Sequence, residues 1–316
     1  MWPLLMVILI GSGCIASADS VTPRAYLPMT FKGYGTPDWN TVNDWLYQLQ
    51  NADLEAIGQS KYDLVVMDYS SDGTATGEYA AAQVRALRHS AGGDKLVVAY
   101  MSIGEAEDYR YYWQAGWTPG EPEWLDAENP HWPGNYKVKY WHVDWQAIVY
   151  GSPDSYLDKI IAAGFDGVYL DIIDAYEYYE EQGRATAAQE MVDFVLNIAA
   201  YARTYHPGFG VFPQNGAALA VDHADYVNAV TGIGQEDTYY GYEADDQATP
   251  PEVTAEIEGY LDVFTTADKP VLAVDYATTS SNVDDAYVKA QAKGYVPFCT
   301  VRDLDQLTIN PGHEPD

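Results

Sequence analysis

Acidic residues recur in this chain at one kind of position, where an apolar run ends. Asp68 lies at the end of "DLVVMDYS", and Glu105, Glu107 and Asp108 follow "LVVAYMS". Asp171 and Asp174 close "GVYLDII", Glu236 and Asp237 follow "YVNAVTGI", Asp275 lies in "PVLAVDYA", and Arg302 and Asp303 follow "YVPFCTV". Any one of these acids reads equally well as a helix cap or a solvated loop charge. Carboxylates at six of eight run ends form a pattern, and three chemistries fit it. Two carboxylates of split proton affinity can cleave a glycosidic bond. A group of Asp and Glu can hold a divalent cation, and a cluster can bind a cationic sugar. The six histidines are scattered, and no H-E-x-x-H, EF-hand loop or P-loop occurs. "TGIGQED" contains only G-x-G, and there is no G-x-S-x-G elbow. Hydrolysis by paired carboxylates is the default reading, with no metal and no cofactor expected. Asp171 and Asp174 are three residues apart, so in an extended strand they face opposite ways and do not form the catalytic pair.

The elements that must position these acids are legible as well. Eight runs read as strands: Trp45–Gln50, Asp63–Ser70, Leu96–Ser102, Gly167–Ile173, Phe209–Asn215, Tyr226–Ile233, Pro270–Ala277 and Tyr295–Val301. They are apolar almost throughout rather than alternating, which suits parallel strands covered by helices. Helical patterns lie between them, at Tyr79–His89, Asp154–Ala163, Thr186–Tyr205, Glu252–Phe264 and Val283–Lys293, with Gly164, Gly208 and Gly294 as stop signals. The expected fold is α/β, a (β/α)8 TIM barrel, with a doubly wound sheet as runner-up. In a barrel the strand ends converge on one mouth. The connection after the third strand is unusually long and holds Trp113, Trp117, Trp124, Trp132, Trp141 and Trp145 among the chain's nine tryptophans. Such a loop is ordinarily functional. Its rings can stack on sugars or simply pack against one another.

Of 316 residues, 16 are Lys or Arg and 47 are Asp or Glu, a formal charge of −31. That surface repels nucleic acid and anionic lipid and attracts cations. It fits solubility in a salty habitat, a cationic substrate, or both. Residues 1–18 read as a secretory signal ending at Ala16-Ser17-Ala18, with a lipoprotein signal ending at Cys14 as the alternative. Residues 19–316 are then a single domain, and no later segment is expected to span a membrane. Cleavage leaves Cys299 as a lone thiol in an apolar run, so no internal disulfide is expected.

"AYMSIGEAEDYRYYW", "NYKVKYWHVDWQ", "GFDGVYLDIIDAYEYY", "PQNG", "GIGQEDTYYG" and "VLAVDYA" occur in this order between Trp45 and Leu307. Together they resemble glycoside hydrolase family 114, the endo-α-1,4-polygalactosaminidases and their relatives. The resemblance implies a (β/α)8 barrel that cleaves α-1,4-linked galactosamine polymers internally with retention. Asp171 of "YLDIID" matches the nucleophile, and Glu236 of "GIGQED" matches the acid/base. The substrate would be a cationic amino-sugar polysaccharide, and Asp68, Glu105, Asp174 and Asp275 would be placed to pair with its ammonium groups. Tyr176, Asn215 and Trp141 complete the candidate substrate-binding set. His142 stands where the family's "KYWD" has its aspartate, which would remove one acidic contact. Two alternatives stay open: a non-catalytic polysaccharide-binding barrel, and a glycosidase for another sugar polymer.

Overall fold

The computed structural model describes residues 36–316, which lie within one compact unit, Phe31–Asp316. The signal reading of residues 1–18 and the anchor reading of Cys14 fall outside the described residues. Eight parallel strands form the centre: β1 (Trp45–Gln48), β2 (Leu64–Met67), β3 (Leu96–Ser102), β4 (Gly167–Asp171), β5 (Gly210–Pro213), β6 (Ile233–Glu236), β7 (Val271–Asp275) and β8 (Val296–Cys299). Ladders run unbroken from β1 to β5 and from β6 to β8 in chain order. A parallel bridge, Gln214 to Gly234, links β5 to β6, with Asn215 N donating to Gly234 O at 2.9 Å. At the last seam Trp45 Nε1 donates to Val296 O at 3.0 Å, and the amides after β1 reach Leu304 O. The fold is thus α/β, with helices covering a parallel centre.

Nearly every strand residue is buried, which explains the continuous apolar runs: one face meets the helices and the other the barrel interior. The interior is aromatic. Trp45 stacks on Tyr47 at 5.8 Å, and Tyr169 and Phe298 lie within 6.1 Å of Trp45. Gly164 ends its helix in the left-handed region at φ 84°, as a C-cap glycine should.

Two expectations are corrected. "YVNAVTGI" is not the sixth strand. Ala224–Ala229 is a short helix packed against Ala187–Tyr205, and β6 begins only at Ile233. Tyr226, Val227 and Val230 have helical as well as extended spacing, and tertiary packing decides between them. The consequence is functional, because Glu236 is the last residue of the strand rather than part of a following loop. The long connection after β3 is also more ordered than a loop. Glu105–Glu107, Asn135–Val138 and Leu125–Glu128 form an antiparallel sheet, followed by the helix Val143–Val149.

Most of the tryptophans in this excursion pack among themselves. Trp113, Trp117, Trp124 and Trp145 form a chain with ring centroids 5.3, 4.9 and 5.0 Å apart, and Trp145 Nε1 donates to Ile103 O at 2.9 Å. Trp141 packs instead on Tyr140 and Tyr179, and Trp132 is 53% exposed. Trp145→Ala should therefore lower the unfolding free energy by about 3–5 kcal/mol. Trp132→Ala should change it by less than about 0.5 kcal/mol. Denaturant titration of both variants checks this, and equal effects would contradict the packing role.

Candidate functional site

Asp171 ends β4 and shares its face with Tyr169, two residues earlier. The chain then turns sharply. Ile172 has φ 59°, a left-handed conformation that costs a β-branched residue energy and so marks strain. Gly104 permits the turn, since a Cβ there would lie 2.1 Å from Ile172 O. Asn215, two residues beyond β5, and Asp237, one beyond β6, are also left-handed, at φ 62° and 58°. Three strand ends on one rim are thus bent abruptly at the residues that carry or flank the acids.

The Asp171 carboxylate accepts from Tyr100 Oη at 2.6 Å and from Ile172 N at 2.8 Å. Glu236, at the end of β6, accepts from Asn215 Nδ2 at 2.9 Å on one oxygen and from Tyr276 Oη on the other. The Asn215 amide is fixed, because its own Oδ1 accepts from Gln235 Nε2 at 3.0 Å and from Glu236 N at 3.1 Å. Beneath the two acids lies a floor of buried phenols, Tyr47, Tyr100, Tyr169 and Tyr276. Gly234 brings the floor together. A Cβ there would lie 1.9 Å from Tyr169 Oη, so only glycine lets β6 close on that ring.

The pair interacts strongly. Burial first, and then the charge of Glu236, push the Asp171 carboxyl well above the usual carboxylate range. Asp174 opens the helix Ala175–Glu181 with an exposed side chain. Desolvation, followed by the charges of Glu177, Glu236 and Glu105, nonetheless raises it to about 6. Glu105 is buried. Its Oε1 accepts from Asn129 Nδ2 at 2.8 Å with Lys137 Nζ at 3.7 Å, while Oε2 has no hydrogen-bond partner. Desolvation raises its proton affinity.

Asp68 and Asp275, expected among the ammonium-binding groups, are placed inside the protein wall. Both oxygens of Asp68 lie 2.8 Å from Arg110 Nη1, in a buried cluster that also holds Glu107. Asp275 accepts from Tyr239 N at 2.7 Å and Tyr240 N at 2.8 Å, and burial raises it to about 7. Tyr176 is buried, with its hydroxyl donating to Glu177 at 3.2 Å. One face of Trp141 carries the Arg184 guanidinium at 3.7 Å, and Tyr179 packs edge-on at 4.7 Å. His142 caps the helix Val143–Val149 by accepting from Asp144 N, so its position in the chain serves the excursion. Sequence reasoning missed Tyr100 and Tyr276. Their only signal is a polar ring inside an otherwise apolar strand, as in "VVAYMS" and "AVDYA". Among the described residues, no helix is long and apolar enough to cross a membrane.

A profile of the glycoside-hydrolase family GH114 matches residues 30–314. An uncharacterized protein of Methanocaldococcus jannaschii is 42% identical over 277 residues, covering 83% of this chain and 77% of that relative. One from Thermotoga maritima is 36% identical, covering 99% and 94%, and one from Deinococcus radiodurans is 38% identical, covering 98% and 99%. Among solved structures, the glycoside hydrolase domain of PelA from Pseudomonas aeruginosa matches with a TM-score of 0.64 at 16% identity, covering 85% of this chain and 98% of that domain. An α-amylase from Geobacillus thermoleovorans matches at 0.50 and 9% identity, covering 83% and 70%. At such identities the structural likeness is one of fold.

The coupling of the two acids has a direct consequence. Glu236→Gln removes the second cause of the Asp171 shift, so Asp171 should lose its proton at lower pH than in the unmodified protein. Carboxyl ¹³C titration of Asp-labelled protein reads this, and an unmoved Asp171 midpoint would mean that the two charges do not act on one another.

Proposed function

Because the chain belongs to glycoside-hydrolase family GH114 and is a glycoside hydrolase, we propose that it is a secreted, endo-acting enzyme that cleaves α-1,4-linked galactosamine polymers with retention. The observation that carries this reading is the pairing of Asp171 on β4 with Glu236 on β6, two carboxylates in different hydrogen-bonding environments whose charges act on each other. One carboxylate must be ionised and the other protonated for the reaction to begin. Burial and Glu236 both raise the proton affinity of Asp171. The second of these causes falls away when Glu236 carries a proton, and the proposed reaction starts from that form, with Asp171 ionised.

In the first step an Asp171 oxygen attacks the anomeric carbon. The glycosidic C–O bond breaks, and the leaving oxygen takes the proton from Glu236. In the second step Glu236 takes a proton from water, the water oxygen attacks the anomeric carbon, and the bond to Asp171 breaks. Galactosamine carries an ammonium near neutral pH. Asp174, whose side chain is exposed, is the carboxylate left to face it, since Glu105 is buried like Asp68 and Asp275. Asn215 acts here through Glu236. The −31 charge draws such a polymer toward the protein. The "ASA" site before Asp19 supports secretion.

Asp171→Asn and Glu236→Gln should each reduce the release of new reducing ends from deacetylated α-1,4-galactosaminan by at least about a thousandfold. Their thermal unfolding should stay close to that of the unmodified enzyme. Full activity in either variant rejects its assignment, and polymer binding without cleavage by the unmodified chain rejects the enzymatic reading of this substrate.

A further inference from the structure

Glu236 has two side-chain hydrogen-bond partners that differ in kind. Asn215 presents an NH2, which can only donate, and the two donors on its Oδ1 keep the amide from turning over. Tyr276 presents a hydroxyl, which can donate or accept and rotates freely about its C–O bond. Tyr276 is 2% exposed, so water does not compete for that hydroxyl. An acid/base group must be accommodated both with and without its proton in each turnover. Of these two partners, only Tyr276 can reverse.

The ring of Tyr276 is itself loaded. The guanidinium of Arg302 lies over its face, 4.0 Å from the centroid. Arg302 is held there by Asp237 at 3.0 Å, by Asp245 at 2.7 Å and by Gly241 O at 2.7 Å. A cation on the face of a phenol draws electron density from the ring and makes the hydroxyl a better donor. Arg302 therefore biases the Tyr276 bond toward donation, which favours the ionised form of Glu236.

We propose that Tyr276 is a positioning residue whose reversible hydrogen bond carries Glu236 through its protonation cycle, and that Arg302, stacked on the ring, sets how readily Glu236 releases its proton. The proposal rests on Glu236 as the acid/base. Other charged or titratable groups facing the pair are Asp171 and Tyr169 from β4, Tyr47 from β1, Asp174 at the rim and Asp237 beside Glu236. All of them remain in Tyr276→Phe, so that variant isolates the single O–H. Arg302→Gln also frees Asp237 and Asp245, so the two changes must be combined to separate the route through the ring from direct charge effects.

The test is a titration that needs no substrate. Protein carrying ¹³C at its Glu carboxyls is titrated, with the Glu236 signal identified by its loss in Glu236→Gln. Tyr276→Phe should move the Glu236 midpoint upward by about one pH unit, the value expected for one hydrogen bond to a charged group. Arg302→Gln should move it upward by less, and its effect should shrink once Tyr276 is already Phe. A folded Tyr276→Phe with an unmoved midpoint overturns the proposal. So does an Arg302→Gln shift that is undiminished in the Phe background. If Tyr276→Phe does not fold, Arg302→Gln in an Asp237→Asn background carries the test, since Asp245 is exposed and screened. The midpoint must still rise there, and an unmoved one overturns the proposal. Absence of galactosaminan cleavage together with the expected shifts would remove the substrate reading and leave this one intact.

Discussion

Two carboxylates held close together at a half-buried barrel mouth are costly, and much of this molecule serves to hold them. Burial alone favours their neutral forms, and each repels the charge of the other. What offsets this is donor placement. Asp171 has Tyr100 and the Ile172 amide, and Glu236 has Asn215 and Tyr276. Each acid thus has a donor on each of its oxygens, and among the described residues no arginine or lysine forms an ion pair with either one. A cation in direct contact would tie the acid up in its ionised form, whereas neutral donors leave it free to gain and lose a proton.

The arginines stand one layer back. Arg302 lies over Tyr276, pinned by Asp237 and Asp245. Arg110 lies 6.0 Å from the centroid of Tyr100, pinned by Asp68 and Glu107. The second contact is the looser one, since Arg110 lies nearer the rings of Tyr109, Tyr156 and Tyr69, at 5.1, 5.5 and 5.9 Å. Asp68 anchors this arginine within a group of tyrosines that includes Tyr100, the donor to Asp171. The backbone makes matching concessions. Gly234 yields its side chain to Tyr169, and Ile172 accepts a strained conformation so that the chain turns away directly after Asp171.

Much of this was readable in the sequence, because parallel strands buried on both faces leave an unmistakable apolar trace. Seven of the eight strands lie wholly within their expected positions, and Leu96–Ser102 coincides at both ends. Asp171 and Glu236 are among the acids at strand ends, and the family resemblance singles them out. The sixth strand was misplaced because Tyr226, Val227 and Val230 satisfy both periodicities, and only packing against Ala187–Tyr205 settles the choice. The roles of Asp68 and Asp275 were hidden for a different reason. Strand-end position says that an acid is near the mouth, but whether its oxygens face ligand or wall depends on partners distant in sequence: Arg110 for Asp68, and the Tyr239 and Tyr240 amides for Asp275. The tyrosine floor was invisible for the same reason, since its hydroxyls acquire meaning only when strands far apart in the chain converge.

Chemical rescue with azide tests most directly the claim that these two acids divide the work as nucleophile and acid/base. The substrate is a short aryl α-galactosaminide oligomer, and the measurement is the anomeric configuration of the glycosyl azide formed. In Asp171→Gly, azide should replace the missing nucleophile and give the inverted β-azide. In Glu236→Ala, it should attack the glycosyl-enzyme and give the retained α-azide. The same configuration from both variants, or the two outcomes exchanged, would contradict the assignment.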